Sequence, residues 1–304
     1  MLQREKVDMV CIAVPVELHY TLARLCLEAG CHVLLEKPVT LYLREVDELI
    51  ARAGKEKLVV GVCHQYRTFQ TYRKIKKLID SDTLGQIRRS PWTWNFFRDA
   101  QELQSRSRSG GLPSAEQSIL FRQGIHIFDL LCWMLGEPRQ VTALIDSQLK
   151  RTTLEDACCV SIYFKCGALA IIQMGYNEPS GIDVLQMSGD KAVLTLKDVQ
   201  SLVSNKSDDM LLGVFEEPLQ NRVARDKVRH GHPRVVWRKL RQGEGSIPLR
   251  LARTCYRRLK LPEPVPGTKF LTSVGLMRKP PPPSFNVFIE NFAGAARGAH
   301  PPLA

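Results

Sequence analysis

The chain has 304 residues, 44% of them hydrophobic and 24% charged, so its composition is that of a globular protein long enough for two domains. It contains no run of roughly 18 apolar residues that could span a membrane and no signal-peptide core at its start, so we expect a cytoplasmic protein without a membrane partner. The formal net charge of +12 is concentrated in residues 222–260, where thirteen Lys and Arg accompany two acidic residues, and the remainder of the chain is nearly balanced.

The first elements alternate between strand and helix. Residues 8–15 are an apolar run ended by a proline, which predicts a buried strand, and leucines at helical spacing then predict a helix that stops at Ala29-Gly30. A second buried strand follows at 31–35, a helix near 41–53 and a third strand at 58–63. This alternation predicts a Rossmann-like, doubly wound parallel sheet.

The sheet starts without the glycine-rich turn that opens a dinucleotide-binding fold, because the first strand already begins at Asp8. We therefore expect residues 1–83 to be a partial dinucleotide-binding domain, truncated at its N-terminus by about 60 residues if two strand-helix repeats are missing. A shortened gene start and a degenerate protein both remain open as explanations.

A second domain is predicted to occupy residues 84–304. After a helix near 71–80, strand-like runs dominate and predict a mostly antiparallel sheet with helices on one face. A helix at 124–135, ended by Gly136 and Pro138, interrupts the strands. The predicted strands are 88–96, 140–146, 157–164, 168–176, 183–188 and 192–196.

The last third of the chain is read as a basic insertion at about 204–280, an extended connector at Pro280–283 and a final helix near 285–297. Trp237 and Tyr256 among the arginines could stack on nucleobases, but a solvated insertion is the commoner cause of such a charge run. His230 and His232 lack a nearby cysteine or carboxylate cluster, so no metal site is expected.

The nine cysteines are odd in number, lie in apolar surroundings and include no CxxC pair. We expect most of them to be reduced core thiols.

The best candidate for chemistry in the first domain is Glu36-Lys37-Pro38, which directly follows the second predicted strand. It therefore lies at the carboxyl end of a parallel sheet, where open α/β folds bind ligands. Lys37 could donate a hydrogen bond to a substrate hydroxyl or help to remove its proton. A solvated Glu-Lys pair at a strand end is the alternative.

The candidate in the second domain is His126, near the start of the 124–135 helix, with Asp129 three residues later on the same face. An imidazole oriented in this way could exchange a proton with a hydroxyl, although a structural histidine is an equal alternative. Arg122, four residues earlier, would discourage the protonated form of a nearby base, bind an anionic substrate group, or lie in solvent.

Several stretches, in order, resemble the Gfo/Idh/MocA oxidoreductases, the glucose-fructose oxidoreductase and inositol dehydrogenase family. Residues 7–15 with His19, then 28–33 and Glu36-Lys37-Pro38, are similar to its fourth and fifth Rossmann strands and its EKP motif. Further similar stretches are Gln65-Tyr66-Arg67, Gly85-Gln86-Ile87, the helix segment 123–130 with Trp133 and Gly136, Asp156 with Phe164 and Gly167-Ala168, and Ser188-Gly189-Asp190.

The resemblance implies an NAD- or NADP-dependent oxidoreductase that transfers hydride between the nicotinamide and a secondary hydroxyl of a sugar, cyclitol or nucleotide sugar. Lys37 and His126 inherit the catalytic roles. The implied cofactor contacts are Pro15, His19, Glu36, Lys37 and Gln65, and the implied substrate contacts are Arg67, Arg122 and Asp129. The resemblance also implies homo-oligomers formed through an open face of the second-domain sheet.

Two departures from the family pattern support an alternative function. Many members carry an aspartate where this chain has Arg122, and the glycine-rich cofactor loop is missing. The alternative is a non-catalytic relative that acts as a ligand-binding or scaffolding module.

Overall fold

A computed structural model describes residues 7–98, 118–148, 154–197, 209–215 and 235–240. These residues form two compact units, which divide between Phe69 and Gln70. The predicted proline connector, the final helix, the His230 and His232 pair and most of the basic segment lie outside the described residues.

The first unit alternates strands and helices in the predicted order. Its elements are β1 (Met9–Ile12), a 3₁₀ turn (Val16–Leu18), α1 (His19–Glu28), β2 (His32–Leu35), α2 (Leu43–Glu56), β3 (Val60–Val62) and a second 3₁₀ turn (Gln65–Thr68). The strands lie side by side in the order β1-β2-β3, and both pairs are parallel. The prediction of a parallel, Rossmann-like sheet is confirmed.

One face of this small sheet carries the main core of the first unit. Ile12, Val33 and Leu35 project from the strands into a cluster with Leu27 of α1 and Leu49 of α2. Burial of these side chains, worth roughly 1.5–3 kcal/mol each, holds both helices on the sheet. The loops at the carboxyl ends of the strands are thereby held on a packed layer.

The second unit is built on a long sheet. Its elements are α3 (Gln70–Asp80), β4 (Ile87–Phe97), a π-helical turn (Leu120–Gly124), α4 (Ile125–Leu135), β5 (Pro138–Asp146), β6 (Ala157–Phe164), β7 (Leu169–Gly175), β8 (Asn177–Gly189), β9 (Ala192–Lys197), β10 (Asp209–Phe215) and β11 (Val235–Leu240). Eight strands pair in the order β11-β10-β9-β8-β4-β7-β6-β5. Only the β4–β7 pair is parallel among these described strands, so the predicted mostly antiparallel sheet is confirmed.

Helices cover one face of this sheet. Tyr72 of α3 packs at a ring distance of 6.1 Å from Trp92 of β4, and both side chains are fully buried. At the turn before α4, a Cβ on Gly124 would lie 3.0 Å from the Met174 side chain of β7, so this glycine lets the backbone approach the sheet closely. The opposite face exposes large apolar side chains, among them Tyr163, Leu169, Ile171 and Ile182.

The division between the units differs from the predicted boundary at 83/84 by the helix α3. Besides the contact of Tyr72 with the sheet, the Lys76 ammonium lies 5.9 Å from the ring centre of Trp133 in α4. These contacts explain why α3 groups with the second unit.

Two described strands fall inside the segment that the sequence presents only as a basic insertion. β10 pairs with β9, with Met210 opposite Leu196, and β11 pairs with β10. These parts of the insertion extend the sheet, and Met210 and Leu212 of β10 are buried.

A clamp holds the start of β4 to the β8–β9 turn. The Gln86 backbone N–H donates to the Asp190 carboxylate at 3.0 Å, and the Asp190 N–H donates to the Gln86 carbonyl at 3.2 Å. Gly85 has a φ of +69° and lies so close to Asp190 that a Cβ would fall 1.8 Å from the carboxylate Oδ1. Both the conformation and the contact therefore require glycine at this position.

Candidate active site

The strand-end edge of the first unit gathers most of the predicted cofactor contacts. Because β1, β2 and β3 are parallel, the loops that follow them leave the sheet at the same edge. Pro15 follows β1, Glu36 and Lys37 follow β2, and Gln65 follows β3. The structure therefore places these four residues on loops at one edge of the sheet.

Glu36 is held by groups in β1 and just after β2 and β3. Its backbone N–H donates to the Ile12 carbonyl at 3.0 Å, and its carboxylate accepts from the Lys37 backbone N–H at 3.2 Å. The Cys63 thiol, just beyond β3, donates to the same carboxylate. Burial and this carboxylate raise the pKa of Cys63 far above its ordinary value, and burial with Glu36 raises the pKa of Cys11 to about 11.

Lys37 is partly buried beside Glu36, and the Lys37–Pro38 peptide bond is cis. Pro15 is exposed and begins the first 3₁₀ turn, where its carbonyl accepts from the Leu18 N–H at 3.0 Å. An ammonium group on one loop and an exposed proline ring on another can bind a polar group and the flat face of a ring, respectively.

His19, by contrast, is 1% exposed. Its Nε2 lies 2.9 Å from the Val14 carbonyl oxygen, and its Nδ1 lies 2.9 Å from that of Pro38 and 3.2 Å from that of Val39. Both ring nitrogens are therefore engaged with the backbone of the two loops.

Gln65 opens the second 3₁₀ turn, which its carbonyl stabilises by accepting from the Thr68 hydroxyl at 2.6 Å. The side-chain Oε1 of Gln65 is buried and has no hydrogen-bond partner within the described part of the chain. A buried amide oxygen without a donor is costly, so this atom is suited to accept from a ligand. Arg67 is partly buried in the same turn.

The second unit carries the other candidates on one helical segment. His126 is buried in the first turn of α4, Asp129 is partly buried one turn later, and Arg122 is partly buried in the preceding π-helical turn. The Ser118 hydroxyl hydrogen-bonds the Glu155 carboxylate and accepts from the Phe121 N–H at 3.1 Å, which fixes the start of this segment.

The π-helical turn was not predicted from the sequence, which placed the helix start near Gly124. Turns of this kind occur often at functional sites, but they have no reliable sequence signal. The Cys63 contact with Glu36 was also missed. The apolar run at 58–63 does end in a cysteine, and its place beside the Glu36 strand could have suggested that contact.

No three His, Cys, Asp or Glu side chains are grouped to hold a metal ion within the described ranges. The described helices also include none long and apolar enough to cross a membrane.

The parallel α/β unit with a ligand-binding strand-end edge, followed by a largely antiparallel sheet, defines a two-domain α/β protein of the nucleotide-binding type. Residues 1–64 match the model of the oxidoreductase family with an NAD-binding Rossmann fold, and residues 72–195 match that of the GFO/IDH/MocA C-terminal domain. The two matches cover more than half of the chain, which belongs to the Gfo/Idh/MocA family of oxidoreductases.

Two curated relatives act on inositols according to their names. The chain is 29% identical over 150 residues to scyllo-inositol 2-dehydrogenase (NADP(+)) IolW of Bacillus subtilis, covering 49% of this chain and 41% of the relative. It is 23% identical over 220 residues to myo-inositol 2-dehydrogenase of Thermotoga maritima, covering 69% and 62%. The chain thus spans about half the length of the curated relatives it matches.

The fold is also that of a solved relative, the inositol dehydrogenase homolog from Azotobacter vinelandii complexed with NADH and myo-inositol. The TM-score is 0.62 at 21% identity, and the match covers 80% of this chain and 59% of the other.

Proposed function

We propose that this protein is an NAD(P)-dependent oxidoreductase that transfers hydride between a nicotinamide and a secondary hydroxyl of a sugar, cyclitol or nucleotide sugar. The observation that carries the proposal is the strand-end edge of the first unit, where Lys37, Glu36 and the buried Gln65 oxygen lie on neighbouring loops. The family and the names of its relatives support the reaction class.

The residues at this edge fit a nicotinamide. A carboxamide carries N–H donors that the partnerless Oε1 of Gln65 can accept, and the exposed ring of Pro15 offers an apolar surface. Glu36 lies on the loop between these two residues and keeps its carboxylate fixed through Cys63 and Lys37. When bound, the nicotinamide supplies the hydride acceptor or donor.

Oxidation of an alcohol also requires that the hydroxyl proton leaves while hydride leaves the carbon. We assign Lys37 to hydrogen-bond the hydroxyl oxygen and His126 to exchange the proton, with Asp129 as the residue that orients His126. Arg67 is assigned to substrate hydroxyls. Arg122 is assigned to an anionic substrate group, because a guanidinium binds carboxylate and phosphate well.

Cofactor binding is tested first. NADH and NADPH are titrated separately into the 304-residue protein, and binding is followed by calorimetry. Saturable binding that weakens in Q65L, but not in the exposed control Q70L, supports the proposed cofactor site. Absence of binding to either nucleotide in the wild-type protein refutes the function for this chain, and binding of a sugar alone would indicate a ligand-binding module.

Turnover is tested on a panel of neutral cyclitols, neutral sugars, uronic acids and nucleotide sugars. K37M and H126N should lower kcat at least about 100-fold, in the range of general acid-base contributions. K55M removes an exposed lysine from the last turn of α2 and should leave kcat unchanged. Wild-type rates in K37M and H126N would remove both residues from the catalytic role.

The role of Arg122 has its own readout. R122L should lower kcat/KM for anionic substrates at least about 10-fold and leave neutral ones unaffected, because only anionic substrates lose a charge-assisted hydrogen bond. Equal losses on both classes would contradict the assignment.

We further propose that the protein forms homo-oligomers through the open face of the second-unit sheet. Tyr163 and Leu169 pair across β6 and β7, Ile171 lies two residues further along, and all three are about 40% exposed. A contiguous apolar patch of this kind is typical of an interface. Cytoplasmic location remains a prediction.

Sedimentation velocity tests this interface. I171E should convert oligomer to monomer with unchanged circular dichroism, because a buried unpaired charge is costly. I50E places the same charge on an exposed apolar position of α2 and serves as the control. A monomeric wild type, or an oligomeric I171E, would refute the proposal.

A further inference from the structure

His19 connects the two loops that carry Pro15 and Lys37. His19 is the first residue of α1. Its Nε2 lies 2.9 Å from the Val14 carbonyl oxygen, and its Nδ1 lies 2.9 Å from the Pro38 carbonyl oxygen. Val14 directly precedes Pro15, and Pro38 directly follows Lys37. One side chain therefore spans the loop after β1 and the loop after β2.

The burial of this ring argues against a direct role in ligand binding. With 1% of its surface exposed and both nitrogens directed at the backbone, His19 offers a ligand neither surface nor a spare polar atom. The expectation of a direct contact between His19 and the cofactor is therefore replaced by an indirect role.

We propose that His19 is a positioning residue, which fixes the spacing between Pro15 and Lys37 by bonding the carbonyls next to them. The effect of His19 on catalysis rests on the proposed function. The hydrogen bonds between His19 and the two loops concern only the first unit. Lys37 then meets the substrate hydroxyl in a set geometry, because its loop is tied to the packed α1 and to the neighbouring loop.

The hydrogen-bond chemistry sharpens the proposal. A carbonyl oxygen only accepts, so each ring nitrogen can bond its loop only by donating an N–H. The ring places one nitrogen at 2.9 Å from a carbonyl oxygen of each loop, so the same side chain is in position to bond both loops.

Three variants separate positioning from simple packing. H19L fills the buried space and removes both links, whereas H19Q can donate to one loop. C26A is the matched control, because Cys26 is buried in α1 within the same core and touches neither loop by hydrogen bond. All three will lose some stability, but only the His19 variants should release the loops.

Hydrogen exchange on the ligand-free protein tests the hydrogen bonds from His19 to the two loops, and it does not depend on enzyme activity. H19L should speed exchange in peptides covering 13–18 and 36–41 at least about 10-fold, while β1 and β2 keep their protection; H19Q should be intermediate and C26A unchanged in these loops. Unchanged loop exchange in H19L overturns the proposal.

Kinetics then tests the consequence. H19L should lower kcat about 10-fold or more with the substrate KM changed by less than about threefold, since misplacement of a catalytic group costs rate more than binding. C26A should keep the wild-type kcat. An inactive wild type with the expected exchange pattern would refute the proposed function and leave the link intact, whereas an active H19L with wild-type kcat would refute the positioning role.

Discussion

Gly85 offers a quantitative test of how the second unit is held together. Its φ of +69° is left-handed, where an alanine costs about 1–2 kcal/mol. The added Cβ would fall 1.8 Å from the Asp190 Oδ1, so the carboxylate must move and the 3.0 Å bond from the Gln86 N–H is lost. Loss of this part-buried hydrogen bond to a charged group costs about 1.5–3 kcal/mol. We therefore expect G85A to lower the unfolding free energy by about 2.5–5 kcal/mol, the sum of the two contributions.

Urea unfolding followed by tryptophan fluorescence measures this loss selectively. All four tryptophans, Trp92, Trp94, Trp133 and Trp237, lie in the part of the sequence that follows Phe69, so the signal comes from the second unit. D190A alone should cost about 1.5–3 kcal/mol, because it removes the acceptor of the Gln86 N–H. D190N retains an oxygen at this position and should cost less.

The double variant decides whether the clash is the cause. In the D190A background the carboxylate is already gone, so G85A should cost only the left-handed strain of about 1–2 kcal/mol. The two substitutions are then non-additive by about 2 kcal/mol. Additive losses, or a cost of G85A below about 1 kcal/mol, would refute the reasoning.

Three further predictions concern single side chains. At pH 8, a maleimide should label the exposed Cys159 readily but Cys11 more slowly, because a pKa of about 11 lowers the thiolate fraction of Cys11 about 100-fold. Peptide mass mapping measures both rates, and equal labelling of the two cysteines would contradict the prediction. D183A should lower the unfolding free energy by about 1–3 kcal/mol, because the buried Trp92 indole N–H loses its acceptor at 3.1 Å. D183N should lower it less. Equal urea midpoints for D183A and the wild type would contradict this prediction. K57G should stabilise the first unit by up to about 1 kcal/mol, because Lys57 follows α2 with a left-handed φ of +54°. Slower hydrogen exchange in β2 would show this gain, and faster exchange would contradict it.

The parallel sheet was predictable because its strands are short apolar runs and its helices have regular leucine spacing. The same logic located α4, whose end at Gly136 follows from a glycine with a φ of +86° and the nearby Pro138. β10 and β11 were not recognised, because their residues stand among many charges and their pairing depends on β9, a contact between distant segments that local periodicity does not report.

The candidate site was predictable in part. The position of Glu36 and Lys37 at a strand end follows from the order of elements, since parallel strands must end at a common edge. The burial of His19 and the partnerless oxygen of Gln65 were not predictable, because each depends on which backbone groups the folded loops bring near. A sequence motif marks such residues without distinguishing a ligand contact from a structural bond.

The partners of each polar group make that distinction. Asp156 and Asp190 both belong to stretches that resemble the family, yet their buried carboxylates accept from the backbone N–H groups of Gln148 at 2.8 Å and Gln86 at 3.0 Å. Their charges stabilise connections between strands. The His19 ring is likewise bonded to backbone groups, in its case carbonyl oxygens. Gln65, in contrast, has a buried oxygen for which the described residues supply no donor. Because an unmet acceptor in the interior is costly, this buried oxygen supports the proposal that Gln65 accepts a hydrogen bond from a bound ligand.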